Sequence, residues 1–253
     1  MEMKIKVKGS PVELVEFYNK LMNLTPTVKV NIETDDVLKD INNKKELILS
    51  KYNDYLISLN LDPSKFQYDE ERNTGYFGLV NSNDFISGKE LSEFVKFEKG
   101  KLLKYDTLWA VFYYHGKIAV TPIKPIRYNV SWNDIDELGL VDGSFNRMNI
   151  KGIHYSISLH TGDIETTNTW DELISRLHVD SKIIPTWDSL TDVDLNVNWE
   201  VCKHGTATWC QESSSFDPSF RTYRGDYRLA YSSWSTSSHV GTYMAWRPLL
   251  ILN

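Results

Sequence analysis

The sequence is short of cysteine, of long apolar runs, of positive charge and of catalytic signatures, and each shortage removes a class of explanation. Two cysteines in 253 residues are too few for a disulfide-stapled fold. Cys202 and Cys210, spaced C-x7-C, read as reduced thiols, although a hairpin would bring them together. His204 and Glu212 lie nearby, but the spacing fits none of the common zinc frameworks, and no metal or cofactor is expected. The longest unbroken apolar stretch, Leu108-Trp-Ala-Val-Phe-Tyr-Tyr114, is far below the roughly 20 residues a membrane helix needs. Met1-Glu-Met-Lys-Ile-Lys6 has no signal-peptide core, so cytoplasmic synthesis without export or membrane insertion is expected. A formal charge of −6 argues against nucleic acid as a partner, because that affinity comes mainly from neutralising phosphates. There is no G-x-S-x-G elbow, phosphate-cradling glycine loop, H-E-x-x-H or dinucleotide fingerprint. No catalytic residue is assigned, and the chain is not expected to be an enzyme.

What is present divides near residue 107. Fifteen of the twenty lysines fall at or before Lys104, seven of the eight arginines at or after Arg127, and every tryptophan follows Asp106. Two domains are expected: an attachment or assembly region over 1–106 and a recognition domain over 107–253. The first reads as a strand over Lys4 to Val7, a helix from Ser10 to about Met22, and a strand over Val28 to Ile32. A long helix follows from Asp35-Asp36 to about Leu59. Its Leu38, Ile41, Ile48, Tyr52, Tyr55 and Leu59 step by threes and fours, as in a three-heptad coiled coil or a helix packed on its own sheet. Ser87-Gly-Lys-Glu90 is a capping-box pattern for a helix that uses Leu91, Phe94 and Val95.

From Thr107 the pattern turns to strands. Hairpins are expected about Gly116 and at Asn149-Ile-Lys-Gly-Ile153, where Tyr155, Ile157 and Leu159 alternate. Pro122 and Pro125 mark an edge or a crossing segment. Ser131-Trp-Asn-Asp134 and Thr169-Trp-Asp-Glu172 read as further helix starts. Trp132-Asn-Asp134 echoes a triplet of calcium-dependent C-type lectins, but capping is the plainer explanation. Asp188, Asp192 and Asp194 alternate like calcium ligands yet lack the glycine and closing glutamate of an EF-hand loop. They read as a solvated loop.

Beyond Pro185 the chain looks loop-rich. Fourteen of the 37 residues from Thr206 to Thr242 are serine or threonine, punctuated by tryptophan and tyrosine. Such rings stack on sugars or anchor protein partners, while polar neighbours fix orientation; most of them also make good core fillers. Arg224, Tyr227 and Trp234, set among polar residues, are the candidate ligand-binding residues. Arg247-Pro248-Leu-Leu-Ile-Leu252 reads as a terminal core strand.

Several segments carry a resemblance. Lys117-Ile-Ala-Val-Thr-Pro-Ile-Lys-Pro-Ile-Arg127, Ser131-Trp-Asn-Asp134, Ile153-His-Tyr-Ser-Ile-Ser-Leu-His-Thr-Gly162, Thr169-Trp-Asp-Glu-Leu-Ile174, Trp209-Cys-Gln-Glu212, Tyr223-Arg-Gly225 and Ala245-Trp-Arg-Pro-Leu249 resemble, in that order, uncharacterised phage and prophage proteins of low-GC Gram-positive bacteria. The closing Arg-Gly then Trp-Arg-Pro is similar to the end of the formylglycine-generating-enzyme variety of the C-type-lectin fold. The resemblance covers residues 107–253 and implies a C-type-lectin-like domain there; with the helical patterns read before it, the expected fold is α+β, a helical N-terminal region followed by a loop-rich C-type-lectin-like domain. It further implies a virion protein on a tail, baseplate or capsid surface that binds a host glycan or surface protein alongside other virion proteins, in one or several copies. A structural adaptor without ligand is the alternative. A formylglycine-generating-like enzyme is a second, and it requires a reactive Cys202 or Cys210.

Overall fold

His115 and Gly116 both adopt left-handed backbone, with φ of 47° and 90°. That pair of angles makes the tight turn joining β4 (Trp109–Tyr114) to β5 (Lys117–Pro122) in a six-pair antiparallel register. Lys151 and Gly152 repeat it between β7 (Asp142–Ile150) and β8 (Ile153–Ser158). Both expected hairpins are present. The computed structural model describes residues 35–104 and 106–253; the expected strands and helix before residue 35 lie outside the described residues.

Two compact units divide the chain. The described part of the first is the start of α1 (Asp35–Ser58), up to Asn53, with the Glu70–Arg72 turn. Lys44 ion-pairs with Glu70 there. The second unit holds Asp54–Asp69 and Asn73–Asn253. Its seven-stranded antiparallel sheet runs β1 (Gln67–Asp69), β2 (Thr74–Val80), β4, β5, β13 (Leu249–Leu252), β8, β7. A six-stranded sheet runs β11 (Ser232–Thr236), β10 (Phe220–Gly225), β9 (Ala207–Ser213), β12 (Met244–Trp246), β6 (Arg127–Tyr128), β3 (Lys101–Leu102). The chain is therefore mixed α and β, as expected.

One expectation is corrected. The break at 106/107 is not a structural seam, because β2 pairs with β4 and β3 with β6. The chain after Pro185 alternates its loops with five strands. Serine, threonine and arginine hide the apolar alternation by which strands are recognised. The terminal-strand reading holds: β13 lies between β5 and β8, with Leu249 and Leu250 both buried. Two of the crossings between sheets are short, through Ile123 to Ile126 and through Arg247-Pro248. Prolines suit both places, since neither crossing needs their missing amide.

Short helices pin the connections. Ser87 caps α2 (Gly88–Phe94) and Ser131 caps α3 (Trp132–Asp136), each in a reciprocal capping box with Glu90 and Asp134. Phe94, expected in the core, is 45% exposed. Thr169 does not cap: its backbone is already helical, and Asn168 Oδ1 instead accepts from the Asp171 amide at 2.8 Å. The chain there makes a π-turn over Trp170–Ile174 and a 3-10 turn over Ser175–Leu177. Their Trp170, Leu173, Ile174 and Leu177 pack with Ala110, Phe112, Ala119 and Leu249 in the core of the second unit. Burying one indole fully contributes roughly 5 kcal/mol before entropy is charged against it. Tyr55 on α1 and Leu59 just after it are buried, and Tyr155 donates to the Tyr55 hydroxyl at 3.0 Å. The last part of the helical seam is thus satisfied within the chain.

Candidate functional site

Strand alternation gives the six-stranded sheet two chemically distinct faces. Tyr223 of β10 is in register with Trp209 of β9 and Ser233 of β11, and the Tyr223 and Trp209 rings meet edge to face at 6.2 Å. Arg224 and Thr222 turn to the opposite face. Trp234, in register with Thr222, turns with them.

The Arg224 face is a buried polar layer. Arg224 is 2% exposed; its Nη2 donates to Asp171 Oδ1 at 2.6 Å and its Nη1 to the Gly162 carbonyl at 3.1 Å. Both Glu212 oxygens accept the Gly162 amide at 3.0 Å, and burial raises the Glu212 pKa. A Cβ on Gly162 would lie 2.4 Å from Cys210 Sγ, so glycine is required by close approach. Thr121 donates its hydroxyl proton to the Pro248 carbonyl at 2.9 Å, so His160 Nε2, 2.9 Å away, must carry the proton. His160 Nδ1 then accepts from Thr169, 3.2 Å away. Burial first, and the Arg247 charge second, hold the His160 pKa down to about 3. Arg247, fully buried 5.2 Å from the Trp170 ring, donates to the Leu195 carbonyl at 2.5 Å, and burial lowers its pKa to about 9.

This layer is poor ground for nucleophilic chemistry. Burial, then the neighbouring Glu212, pushes the Cys210 thiol well up, which opposes thiolate formation. Both ring nitrogens of His160 are already engaged by threonines, so it does not serve as a base for the thiol. Cys202 and Cys210 are both free, the former half-buried in α5 (Trp199–Cys202).

The other face ends in an aromatic cluster. Tyr223 leads to Tyr231 at 6.3 Å, and Tyr231 meets Tyr227 edge to face at 5.3 Å. Tyr243 meets Trp199 edge to face at 6.3 Å, and its hydroxyl lies 2.9 Å from His239 Nε2. The cluster is organised by a turn at Gly225 and Asp226, with φ of 90° and 87°. A Cβ on Gly225 would lie 2.4 Å from the Thr206 carbonyl. Asp226 donates its amide to that carbonyl at 2.8 Å, accepts the Trp199 amide on its own carbonyl at 2.5 Å, and accepts the Thr206 hydroxyl on Oδ1 at 2.9 Å. Its carboxyl is raised by burial. The Tyr243 pKa is also raised, first by burial and then by the proximity of Asp226, Tyr227 and Tyr231. The aromatic rings and the Asp226 turn thus share one end of the sheet.

The three expected ligand residues do not form one site. Tyr227 is 57% exposed in the aromatic cluster. Trp234 is 47% exposed on the opposite face of the edge strand, and Arg224 is interior. Sequence reading placed Arg224 among polar neighbours and took them for solvent, whereas Asp171 and Gly162 come from far along the chain. It passed over Asp226, for which Arg224-Gly-Asp-Tyr227 at a strand end is a legible turn signal. Six of the eight tryptophans are buried; only Trp199 and Trp234 reach the surface.

The three alternating aspartates diverge. Asp188 accepts from the Tyr76 hydroxyl at 2.7 Å, Asp192 lies 3.3 Å from His178 Nε2, and Asp194 closes a capping box with Thr191 on α4 (Asp192–Leu195). Among the described residues, no group of three or more His, Cys, Asp or Glu is arranged to hold a metal ion, and no helix is long and apolar enough to cross a membrane. Comparison with protein-family models, with curated proteins and with solved structures finds no match.

Proposed function

We propose that this chain is a phage virion protein whose C-terminal lectin-like region binds a glycan or protein on the host surface. The observation that carries the reading is the half-exposed cluster of Tyr227, Tyr231, Tyr243 and Trp199 around the Asp226 turn. Rings present stacking area at low entropic cost, and the adjoining phenols and carboxylate supply directional hydrogen bonds to a polyhydroxyl ligand. The lectin-like assignment is supported by Arg224 and Arg247, which belong to separate resembling segments yet flank the same Trp170 ring at 5.9 and 5.2 Å. Two motif fragments that share one neighbour in space make a joint signature more credible than two chance matches. Each copy binds weakly, and several copies per particle supply avidity. The enzyme alternative draws no support from Cys210, a buried thiol held protonated.

The test is sedimentation of labelled protein with purified Gram-positive cell walls. Tyr227→Ala is expected to lower binding at least tenfold, whereas Trp234→Ala, on the opposite face, leaves it within twofold. Equal binding by Tyr227→Ala and the parent protein would refute the assignment. One observation favours the adaptor reading: Phe216, in the loop between β9 and β10, is 89% exposed, as an anchor for a neighbouring subunit would be. An adaptor would ignore walls from every host and self-associate through that loop.

A further inference from the structure

We infer that the aromatic cluster reads a primary ammonium group on its ligand, with Asp226 as the counter-charge. This rests on the proposed binding function and specifies its chemistry. Asp226 is 7% exposed, and its only side-chain hydrogen-bond partner among the described residues is the Thr206 hydroxyl on Oδ1. Among the described residues, no lysine, arginine or histidine lies within ion-pair distance of it, in contrast to Asp69, Asp171 and Asp192. A carboxylate withdrawn from water without a counter-charge is costly, and a cation brought by a ligand offsets that cost.

The surroundings select the kind of cation. The Tyr223, Tyr231 and Tyr227 rings follow one another at 6.3 and 5.3 Å, with Tyr227 next in the chain to Asp226. The Trp199 amide on the Asp226 carbonyl brings the Trp199–Tyr243 pair to the same turn. Beyond the larger effect of burial, the Asp226 charge raises the Tyr223 and Tyr243 pKa values, in keeping with that proximity. The rings meet edge to face, at 84° for Trp199 with Tyr243 and 71° for Tyr227 with Tyr231. Rings set at such angles offer a face to a sugar and an edge beside it to the substituent that carries the charge. A primary ammonium has three donors for a carboxylate and phenol oxygens, and its substituent packs on the rings. A quaternary ammonium has no donor for those oxygens. The chain's charge of −6 favours the approach of a cationic ligand.

The probe is purified Gram-positive cell wall, used native or after acetylation of its free amines with acetic anhydride. Acetylation keeps the polymer and removes the ammonium charge. Acetylated wall is expected to bind at least tenfold more weakly, and a glucosamine trimer, but not its N-acetylated form, to compete with native wall. Asp226→Asn preserves the acceptor for Thr206, and asparagine tolerates the left-handed backbone. This variant is expected to fold as the parent does and to bind native and acetylated walls equally and weakly. Undiminished binding to acetylated wall would overturn the ammonium inference and leave the adhesin reading standing. An Asp226→Asn variant that still prefers native wall would also overturn it. Binding to neither wall would overturn both.

Discussion

Acidification isolates the contribution of one buried ring. In the folded chain His160 is neutral, with Nε2 donating toward Thr121 and Nδ1 accepting from Thr169, and its pKa is depressed to about 3. The unfolded chain titrates near the ordinary value of 6.5, so between those two values the unfolded state binds more protons than the folded one. Stability from a depressed histidine is present above pH 6.5 and is lost as pH falls toward 3. At pH 4.5, two units below the unfolded pKa, unfolding gains about 3 kcal/mol from this one proton, nearly all of it absent at pH 7. His160→Gln removes the titration while retaining an amide that can donate to Thr121. Urea unfolding followed by tryptophan fluorescence at pH 7 and 4.5 gives the comparison. The parent protein is expected to lose about 3 kcal/mol more than the variant over that interval, even though the variant starts less stable. Equal pH dependence in the two proteins would refute the buried, neutral assignment.

Two further substitutions probe the same layer. Arg224→Ala strands Asp171, whose side chain is 30% exposed; partial hydration keeps the loss near the low end for a broken buried pair, about 3 kcal/mol in urea unfolding. Gly162→Ala drives a methyl to 2.4 Å from Cys210 Sγ and 2.9 Å from Arg224 Cγ, and about 2 kcal/mol of destabilisation is expected. Adding Cys210→Ala removes the nearer clash and should recover part of that loss; no recovery would mean that Arg224 sets the constraint.

The parts of the fold legible in the sequence are those written in short-range patterns. Gly116 and Gly152 announce their hairpins because a two-residue turn needs backbone that glycine adopts freely. Ser87 and Ser131 announce helices because a capping box spans only four residues. The long α1 helix shows in its spacing of three and four. Thr169 misled because Asn168, one residue earlier, offers the competing acceptor. Phe94 misled because helical spacing gives a face without saying how far the core extends along it. Of the three candidate residues, Tyr227 and Trp234 are exposed but on opposite faces, and Arg224 is buried. Deciding between them required the register of β10 with β11, which depends on which strands meet.

The misplaced domain boundary has a physical origin in the same long-range chemistry. Lysine and arginine separate along the chain because arginine is the cation that the interior can accommodate, being planar, forked and more weakly hydrated. Arg127 spreads its donors over the carbonyls of Glu98, Lys99 and Gly100. Arg176 pairs with Asp69 and lies 3.6 Å over the Trp187 ring. Arg224 pairs with Asp171, and Arg247 reaches the Leu195 carbonyl beside Trp170. Three of these four guanidiniums lie against a tryptophan ring, so the shared onset of both residue types after residue 106 records how this interior is built. Asp69 and the Glu98 to Gly100 carbonyls come from before that residue, so within the second unit these arginines join chain from both sides of the compositional break. Four guanidiniums of the second unit are thus buried, whereas Asp226, also buried, pairs with no cation among the described residues. The compositional break near residue 107 therefore marks where buried arginine and tryptophan begin to be used together, not where one folded unit ends.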